Sequence, residues 1–462
     1  MIHRPLTVSS NLIFALTAFV LCLSSTASAE GKEKVLYSFQ GGPNDGEYPA
    51  GGVVFDKAGN LYGATTDGGG ECPPAQCGTV FQLAPPAQKG DRWIETLLYI
   101  FKGNSSGDGN TPAGSVIIDS AGNLYGTTGY GGTGDCVLLG TKVGCGTVYE
   151  LSPPTQKGGA WTETVLYSFP TSKQGYLPNG NLVFDSARNL YGATMFGGGY
   201  GTTCDAFYQY CGAVFELSPP TKKGGKWTEK VLHGFRGMES GQSIGDGANP
   251  NGGLVLDSKG AIYGTTYTGG FQCPHDSGQG CGTVFRLTPP IKKEGTWSQT
   301  VLHRFTSSPD GGGPAAGVVF DAHGNLDGTT IGGGTNGWGT VFRLEPPKQR
   351  ESWGESILHS FGDDGYQPRS SLLIDANGSI YGTASGGGTS RGGTFFRLDR
   401  SPGGEGWQCT ILYNFTGDPD AAYPVGSLVF GKDGDIFGVT QLGGTGQNCG
   451  NGNCGTVFAI QP

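Results

Sequence analysis

The stretch Gly122-Asn-Leu-Tyr-Gly-Thr-Thr128, followed by Gly144-Cys-Gly-Thr-Val-Tyr-Glu-Leu151, recurs in near-copies through most of this 462-residue sequence. The first half occurs seven times, around Tyr62, Tyr125, Tyr191, Tyr263, Asp327, Tyr381 and Phe437. The smallest spacing is 54 residues, from Asp327 to Tyr381, and the largest is 72, from Tyr191 to Tyr263. This is the length of one four-stranded unit, so the sequence indicates a tandem-repeat protein.

Each copy contains four predicted strands, which we call A to D in chain order. In the second copy, strand A covers residues 114–119 and strand B covers 124–128, joined by the hairpin chemistry of Asp119 and Asn123. Strand C covers 146–151 and strand D covers 164–169, after a loop that contains Pro153 and Pro154. Four antiparallel strands repeated seven times predict an all-β fold, a seven-bladed β-propeller.

The two ends of the sequence predict how the ring closes. Residues 35–39 match strand D but have no strands A to C before them, and residues 455–460 match strand C but have no strand D after them. We therefore expect the N-terminal strand, residues 35–39, to pair with the C-terminal blade. On this interpretation residues 30–462 form a single propeller domain.

Residues 1–29 have the three parts of a secretory signal peptide. His3 and Arg4 precede an apolar run over residues 12–23, and Ala27-Ser-Ala29 supplies the small residues of a cleavage site. No later segment has about 18 consecutive apolar residues, so we expect no transmembrane segment in the mature chain. The sequence thus predicts a secreted or periplasmic protein, and we expect it to be a monomer.

The composition fits many short strands joined by glycine-rich turns. The chain contains 88 Gly but lacks the three-residue period of collagen. The net charge is −9 and the isoelectric point is near 5.2, so the sequence offers no basic surface for nucleic acid.

Ten cysteines form close pairs in the predicted B to C loops: Cys72 with Cys77, Cys136 with Cys145, Cys204 with Cys211, Cys273 with Cys281, and Cys449 with Cys454. Their variable spacing and the predicted export favour disulfides over metal ligation. The fifth and sixth copies lack both members of the pair. Cys409 lies on strand D of the sixth copy, where it is either a small core residue or a reactive thiol.

The pattern Gly-Asn-Leu-Tyr-Gly-Thr-Thr, then Gly-Gly, then Gly-Thr-Val-Phe-x-Leu, resembles the GloVer (Gloeo/Verruco-type) tandem repeats of exported bacterial proteins. The likeness extends over about residues 33–460. The Asp-x-x-Gly-Asn-Leu-Tyr hairpin is also similar to NHL-like and sensor-type propeller repeats. These resemblances imply the propeller fold and no particular activity.

A second motif recurs between strand D and the next strand A, and it places an acid before Pro in six copies. We expect these acids to surround the mouth of the central channel: Asp45, Asp108, Asp246, Asp310, Asp364 and Asp420. Such a ring would suit sugar hydroxyls or a cation such as calcium. Alternatively, each Asp caps its own turn. No cofactor is otherwise predicted, and no metal site is assigned.

Aromatic residues of the B to C loops do not follow the repeat, which makes them better pointers to function than the repeated positions. They are Tyr130, Phe196, Tyr200, Phe207, Tyr208, Tyr210, Tyr267, Phe271 and Trp338. One interpretation is a platform for sugar stacking or for a protein partner. The other is packing over neighbouring glycine-rich loops.

No motif for nucleophilic, metal-dependent or phosphate-binding catalysis appears. His233, His303 and His359 stand where other copies have Tyr on strand D, so we interpret them as packing residues. Asp327 replaces the strand B aromatic in the fifth copy, at a position that we expect to be half-exposed. It is a catalytic candidate or a case of sequence drift.

Two functional hypotheses follow. The first is an exported binding or scaffold propeller that engages carbohydrate or a cell-surface partner and is not an enzyme. The second is a polysaccharide-active hydrolase or lyase that uses acids such as Asp246, Asp310 and Asp364, since paired carboxylates at a suitable separation hydrolyse glycosides.

Overall fold

The protein is a seven-bladed β-propeller. The computed structural model describes residues 31–72, 75–88, 90–103, 107–138, 140–171, 173–198, 211–222, 224–237, 245–271, 273, 280–292, 295–348, 352–449 and 453–462. Seven antiparallel sheets, each with strands A to D, form the blades. The described residues contain no α-helix, and Gly42–Asn44 forms a 3-10 turn. The predicted fold class is confirmed.

The blades are built from strands of two to ten residues, which follow in the order A to D. Blade 1 has Gly46–Pro49 with Val54–Phe55, Leu61–Gly68, Thr79–Ala84 and Ile94–Ile100; blade 2 has Gly109–Ile118, Leu124–Gly131, Thr147–Ser152 and Thr162–Ser168. Blade 3 has Tyr176–Phe184, Leu190–Phe196, Ala213–Ser218 and Thr228–Gly234; blade 4 has Val255–Leu256, Ile262–Thr266, Thr283–Thr288 and Ser298–Arg304. Blade 5 has Val319–Phe320, Leu326–Thr330, Thr340–Glu345 and Gly354–Ser360; blade 6 has Leu373–Ile374, Ile380–Ala384, Thr394–Arg400 and Trp407–Asn414. Blade 7 has Ala421–Phe430, Ile436–Gly443, Thr456–Gln461 and Lys32–Ser38.

Among the residues that the structure describes, three two-stranded ribbons lie outside the blades. They pair Glu71–Cys72 with Ala75–Gln76, Val137–Leu138 with Thr141–Lys142, and Gly311–Gly312 with Gly332–Gly333.

The N-terminal strand closes the ring. Lys32–Ser38 runs antiparallel to Thr456–Gln461, with Val35 opposite Phe458. Strands A to C of blade 7 therefore come from the C-terminus and strand D comes from the N-terminus, which confirms the closure predicted from the two ends of the sequence.

The repeated glycine of strand B makes room for an aromatic ring of strand C. A Cβ atom at Gly63 would lie 2.5 Å from Cζ of Phe81, and one at Gly192 would lie 2.6 Å from Cζ of Phe215. Such approaches are closer than van der Waals contact, so a larger residue would displace the ring. This explains why Leu-Tyr-Gly recurs with an aromatic on the neighbouring strand.

The core lies between the blades. Phe39 on strand D of blade 7 packs edge-on against Phe81 on strand C of blade 1, with ring centroids 5.0 Å apart. The same pairing joins every successive blade, at centroid distances of 5.0 to 5.2 Å. Edge-to-face pairs add about 0.5–1.5 kcal/mol each beyond the buried area. The repeat thus encodes the interface between blades as well as the blade itself.

Candidate functional site

The D to A and B to C connections lie on the same side of the ring, which we call the loop face. Gly69 of a B to C connection donates its N–H to the carbonyl oxygens of Gly42 and Asp45, which belong to a D to A connection. Gly132 makes the equivalent contact with Asp108, at 2.6 Å.

The residue before the proline of each D to A motif contributes to a rim on the loop face. All seven have a left-handed backbone, with φ between 53° and 65°. These rim residues are Tyr48, Thr111, Leu177, Asn249, Gly313, Gln367 and Tyr423. A left-handed conformation costs a non-glycine residue about 1–2 kcal/mol. Six of the seven positions therefore carry backbone strain, a feature that clusters at functional sites.

Hydrogen bonds between blades hold the rim in this conformation. The N–H of Thr111 donates to the carbonyl oxygen of Cys77 in the preceding blade, at 3.1 Å. Leu177 donates to Cys145 at 3.2 Å. The backbone of the rim is thus fixed to the segment before strand C of the preceding blade, and its side chains are free to differ from blade to blade.

A cavity of about 390 Å³ lies on the ring axis and reaches the rim at Thr111 and Leu177. All seven blades contribute to its wall. Its polar lining residues are Thr66, Thr111, Tyr130, Asn179, Asn181, Asn251, Arg369, Ser371 and Ser427. Among the described residues that line it, Arg369 is the one charged side chain, and none carries a carboxylate.

Asn181 crosses the ring at the inner end of this cavity. Its Oδ1 accepts a hydrogen bond from the N–H of Ser115 at 2.7 Å. Its Nδ2 donates to the hydroxyl of Ser427 at 3.1 Å. Because blade 3 and blade 7 lie on opposite sides of the ring, this side chain obstructs the axial channel.

The aspartates of the D to A motif lie between outer strands and away from the cavity. Asp45 accepts a hydrogen bond from the hydroxyl of Tyr37 at 2.9 Å and from the N–H of Gln40 at 2.7 Å. None of the six acids is among the described residues that line the cavity. The expected acidic ring at the channel mouth is therefore not where these side chains lie, because each carboxylate is held by strand D and by its own turn.

Each of these carboxylates belongs to an interface cluster between two blades. In each cluster, a Tyr or His of one strand D contacts the Asp. A Glu, Gln or Cys near the start of the next strand D completes the cluster. The clusters are Tyr37–Asp45–Glu95, Tyr99–Asp108–Glu163, His233–Asp246–Gln299, His303–Asp310–Glu355, His359–Asp364–Cys409 and Tyr413–Asp420–Glu33; between blades 2 and 3, Tyr167 faces Glu229 without an Asp.

The glutamates of these clusters hold their protons unusually tightly. Burial, followed by the charge and hydrogen bond of Asp420, raises the pKa of Glu33 to about 8. Burial and the charge of Asp108 raise the pKa of Glu163 to about 7. In both side chains Oε1 is buried without a hydrogen-bond partner. Two carboxyl groups at such close range disfavour a second negative charge, which adds to the effect of burial on the pKa of the glutamate.

The cluster of His359 has a thiol, Cys409, where most other clusters have a glutamate. His359 Nε2 lies 2.7 Å from Asp364 Oδ2. Burial alone would raise the pKa of Asp364, but the hydrogen bond and charge of His359, with the N–H of Gly362, lower it below its usual value. The three strand D histidines are therefore paired with aspartates, which the interpretation as packing residues did not include.

Asp327 is fully buried and belongs to an ion pair. Its two carboxylate oxygens accept hydrogen bonds from Nε and a terminal nitrogen of Arg343, each at 2.7 Å. Arg343 also lies 3.3 Å from Asp321 and over the ring of Trp407. The expectation of a half-exposed position is wrong, because Asp327 faces strand C and Arg343 stands directly opposite it.

The loop aromatics do not share one environment. Tyr130 lines the cavity, and Phe196 stacks on Tyr176 with centroids 5.3 Å apart. Phe271 and Trp338 are 42% and 48% exposed, and Trp338 packs at a tilt against Tyr366. Tyr267 lies beside Gly313 of the rim. Tyr200, Phe207, Tyr208 and Tyr210 fall outside the described residues.

Disulfides close the loops of the loop face. Cys136 is bonded to Cys145, Cys273 to Cys281, and Cys449 to Cys454. Cys77 and Cys211 are also disulfide-bonded, while the side chain of Cys72 and the whole of Cys204 lie outside the described part of the protein. Loops this short gain about 2 kcal/mol each in the chain-entropy estimate.

The sequence contains a signal for the rim that the repeated aspartate of the motif obscures. The residue before the proline differs in most copies, from Tyr48 to Leu177 to Gln367. A variable position inside a repeated turn indicates a side chain that the turn itself does not require. The cavity cannot be predicted from variation between copies, because the asparagines that line it come from two different blades: Asn179 and Asn181 from blade 3, and Asn251 from blade 4.

The repeat relates the propeller to known proteins. The sequence profile of the Gloeobacter/Verrucomicrobia repeat matches residues 22–202 and 273–462, which is well over half of the chain. The protein belongs to this repeat family. Membership of the Gloeobacter/Verrucomicrobia repeat family agrees with the resemblance carried by the motifs. No curated protein sequence matches the chain.

Solved structures resemble this member of the repeat family in fold. A Dyadobacter fermentans protein of unknown function is 12% identical with a TM-score of 0.41, over 82% of this chain and 98% of that one. A fungal alcohol oxidase in complex with copper is 16% identical with a TM-score of 0.51, over 94% of this chain and 77% of that one. Pseudomonas fluorescens PhoX in complex with vanadate is 9% identical with a TM-score of 0.43, over 94% and 95%. At 16% identity the likeness to the alcohol oxidase concerns the fold alone.

Proposed function

We propose that the protein is an exported binding module whose ligand is a carbohydrate and whose ligand site is the axial cavity with its rim. The observation that carries this proposal is the cavity wall, to which all seven blades contribute and whose polar side chains, apart from Arg369, are amides and hydroxyls. Such groups donate and accept hydrogen bonds, as sugar hydroxyls require.

The size and shape of the cavity support a small polar ligand. A volume of about 390 Å³ falls within the range of small-molecule sites, about 300–1,000 Å³. Tyr130 supplies an aromatic ring at the wall, and Asn251 and Ser371 supply polar groups on other blades. Because Asn181 obstructs the channel, a chain end or a short oligosaccharide fits better than a polymer threaded through the ring.

The charge of the wall favours binding over glycoside hydrolysis. Hydrolysis uses two carboxyl groups beside the scissile bond. The described lining residues carry no carboxylate, and Asp246, Asp310 and Asp364 are bonded to the histidines of the interface clusters. Arg369 instead provides a positive charge, which suits a uronic acid unit.

Export is part of the proposal. The disulfides fit an extracellular or periplasmic protein. The described part of the chain contains no helix of the length and apolar character that a bilayer crossing needs. The proposed signal peptide, residues 1–29, lies outside the described residues, and its removal is tested by N-terminal sequencing of the exported protein.

A glycan array with the mature protein tests the proposal, with the products analysed afterwards. We expect binding without turnover, and we expect Tyr130→Ala and Asn251→Ala to weaken it at least about tenfold, the equivalent of about 1.4 kcal/mol. Phe271→Ala is the matched control, because Phe271 is an exposed aromatic that does not line the cavity. A loss confined to Phe271→Ala would place the ligand on the loop aromatics, and product formation would favour the enzyme hypothesis.

A further inference from the structure

We propose that the interface between blades 5 and 6 binds a zinc ion through His359, Asp364 and Cys409. His359 lies on strand D of blade 5, Asp364 on the connection to blade 6, and Cys409 on strand D of blade 6. An imidazole, a carboxylate and a thiolate form a set of nitrogen, oxygen and sulfur ligands that zinc accepts.

The three donor atoms already lie close together. His359 Nε2, Asp364 Oδ2 and Cys409 Sγ are within 4.8 Å of one another. The nitrogen and oxygen are 2.7 Å apart, and the sulfur and oxygen are 3.8 Å apart. Tetrahedral zinc has bonds of about 2.0–2.1 Å to nitrogen and oxygen and about 2.3 Å to sulfur, which place nitrogen and oxygen about 3.3 Å apart and sulfur and oxygen about 3.6 Å apart. On this geometry the distance from nitrogen to oxygen must widen by roughly 0.6 Å, and the distance from sulfur to oxygen hardly changes.

Neighbouring atoms hold the ligands and leave access for the metal. The N–H of Gly362 donates to Asp364 Oδ1 at 2.8 Å, which fixes the carboxylate and leaves Oδ2 facing His359. The ring of Phe361 packs edge-on against the imidazole, with centroids 4.8 Å apart. The side chains of His359 and Asp364 are 12% and 14% exposed, so water can occupy the fourth position of the metal.

Two departures from the repeat coincide at this interface. Four of the blades have Tyr at the position of His359, and five strands D have Glu at the position of Cys409. At this interface both change, and the cluster gains imidazole and thiol ligands together. The cluster of His303, Asp310 and Glu355 between blades 4 and 5 is the nearest comparison, and it has a harder carboxylate where the thiol stands.

The same two blades lack the cysteine pair of the B to C loop. Every other blade has such a pair in its sequence. A metal bridge between strands D of blades 5 and 6 would provide a cross-link where the loop disulfides are missing. The missing cysteine pairs are independent of the ligand geometry, and they give the proposed zinc ion a structural role.

Substitutions that copy other blades test the site without introducing foreign residues into the fold. The double variant His359→Tyr with Cys409→Glu reproduces the cluster of Tyr99, Asp108 and Glu163. Glu355→Gln at the neighbouring interface is the control, because it reproduces Gln299 and leaves the thiol in place.

The experiment measures zinc affinity by chelator competition and cobalt binding by absorption, on metal-stripped mature protein handled without oxygen, so that Cys409 stays a thiol and the loop disulfides stay intact. Wild type and Glu355→Gln should show a thiolate-to-cobalt charge-transfer band with the visible bands of tetrahedral cobalt. The double variant should lose the charge-transfer band and bind zinc at least about 100-fold more weakly, since loss of outer-shell partners alone costs 10–100-fold. Zinc should also raise the Tm of wild type and not that of the double variant. Absence of the charge-transfer band in wild type, or equal zinc affinity in the double variant, would overturn the proposal.

Discussion

Asn181 of blade 3 donates a hydrogen bond across the ring to Ser427 of blade 7, at 3.1 Å. The same amide accepts from the N–H of Ser115 in blade 2. One side chain therefore connects three blades at the axis and forms the inner end of the cavity.

Replacing Asn181 tests this connection. Asn181→Ala leaves the buried N–H of Ser115 without its acceptor and should lower the free energy of unfolding by about 1–3 kcal/mol. Asn181→Asp keeps the acceptor for Ser115 and replaces the amide donor with a carboxylate oxygen, which can accept from the hydroxyl of Ser427, so its loss should be smaller. Urea denaturation measures both. Equal stability of the alanine variant and wild type would show that the axial contact does not contribute to closure of the ring.

The buried ion pair of Asp327 and Arg343 predicts a large effect. Asp327→Ala leaves the guanidinium of Arg343 buried with Asp321 alone and should cost about 3–5 kcal/mol. Asp327→Tyr should cost less, because blade 4 has Tyr263 opposite Arg286 at the equivalent positions. Chemical denaturation of the two variants provides the comparison. If the free energy of unfolding of the alanine variant lies within about 1 kcal/mol of wild type, roughly what an exposed ion pair contributes, the assignment of a buried ion pair is contradicted.

The raised pKa of Glu33 predicts that stability falls as the pH rises. Glu33 faces Asp420 and Tyr413, and its folded pKa of about 8 exceeds its ordinary value of 4.5. Between these values the folded state keeps a proton that the unfolded state has lost, so the contribution of Glu33 is complete below about pH 4.5 and is lost as the pH rises through about 8.

Glu33→Gln should therefore stabilise the protein at alkaline pH and leave it unchanged at acid pH. We expect the Tm to rise by roughly 1–3 °C at about pH 9 and to match wild type at about pH 4.5. Differential scanning calorimetry across this range makes the measurement. A Tm difference that does not vary with pH would show that Glu33 is ionised in the folded protein.

Closure of the ring predicts that the N-terminal strand is essential. Deletion of residues 30–40 removes the partner of Thr456–Gln461 and the contact of Phe39 with Phe81. The truncated protein should melt at a much lower temperature, because blade 7 then ends in an unpaired edge. Calorimetry of the truncated and full mature chains tests this, and coincident melting curves would contradict closure by strand pairing.

The fold was predictable from the sequence because both residues of each strand B to strand C contact belong to the repeated motif. A glycine at the position of Gly63 and an aromatic residue at the position of Phe81 recur in every copy, so the packing of strand B on strand C can be recognised seven times. The unmatched strands at the two ends gave the closure. Local pattern and global architecture agree, which is the condition for such a prediction.

The site was less predictable because it depends on how blades meet. Asp310 sits in a turn whose sequence suits a cap, and only the structure brings His303 and Glu355 beside it. The left-handed backbone of Leu177 has no sequence signal, since residues before proline ordinarily avoid the helical regions. Asp327 resembles drift in the sequence, because the sequence alone does not show that Arg343 stands opposite it on strand C.

Titration calorimetry of the tightest-binding oligosaccharide with a variant that fills the cavity shows whether the axial cavity is the ligand site. Ala315 lines the cavity, and Ala58 lies exposed in an A to B hairpin on the opposite face. We predict that Ala315→Trp lowers the affinity at least about tenfold and that Ala58→Trp leaves it unchanged. Undiminished affinity in a folded Ala315→Trp protein would contradict the assignment of the axial cavity as the ligand site.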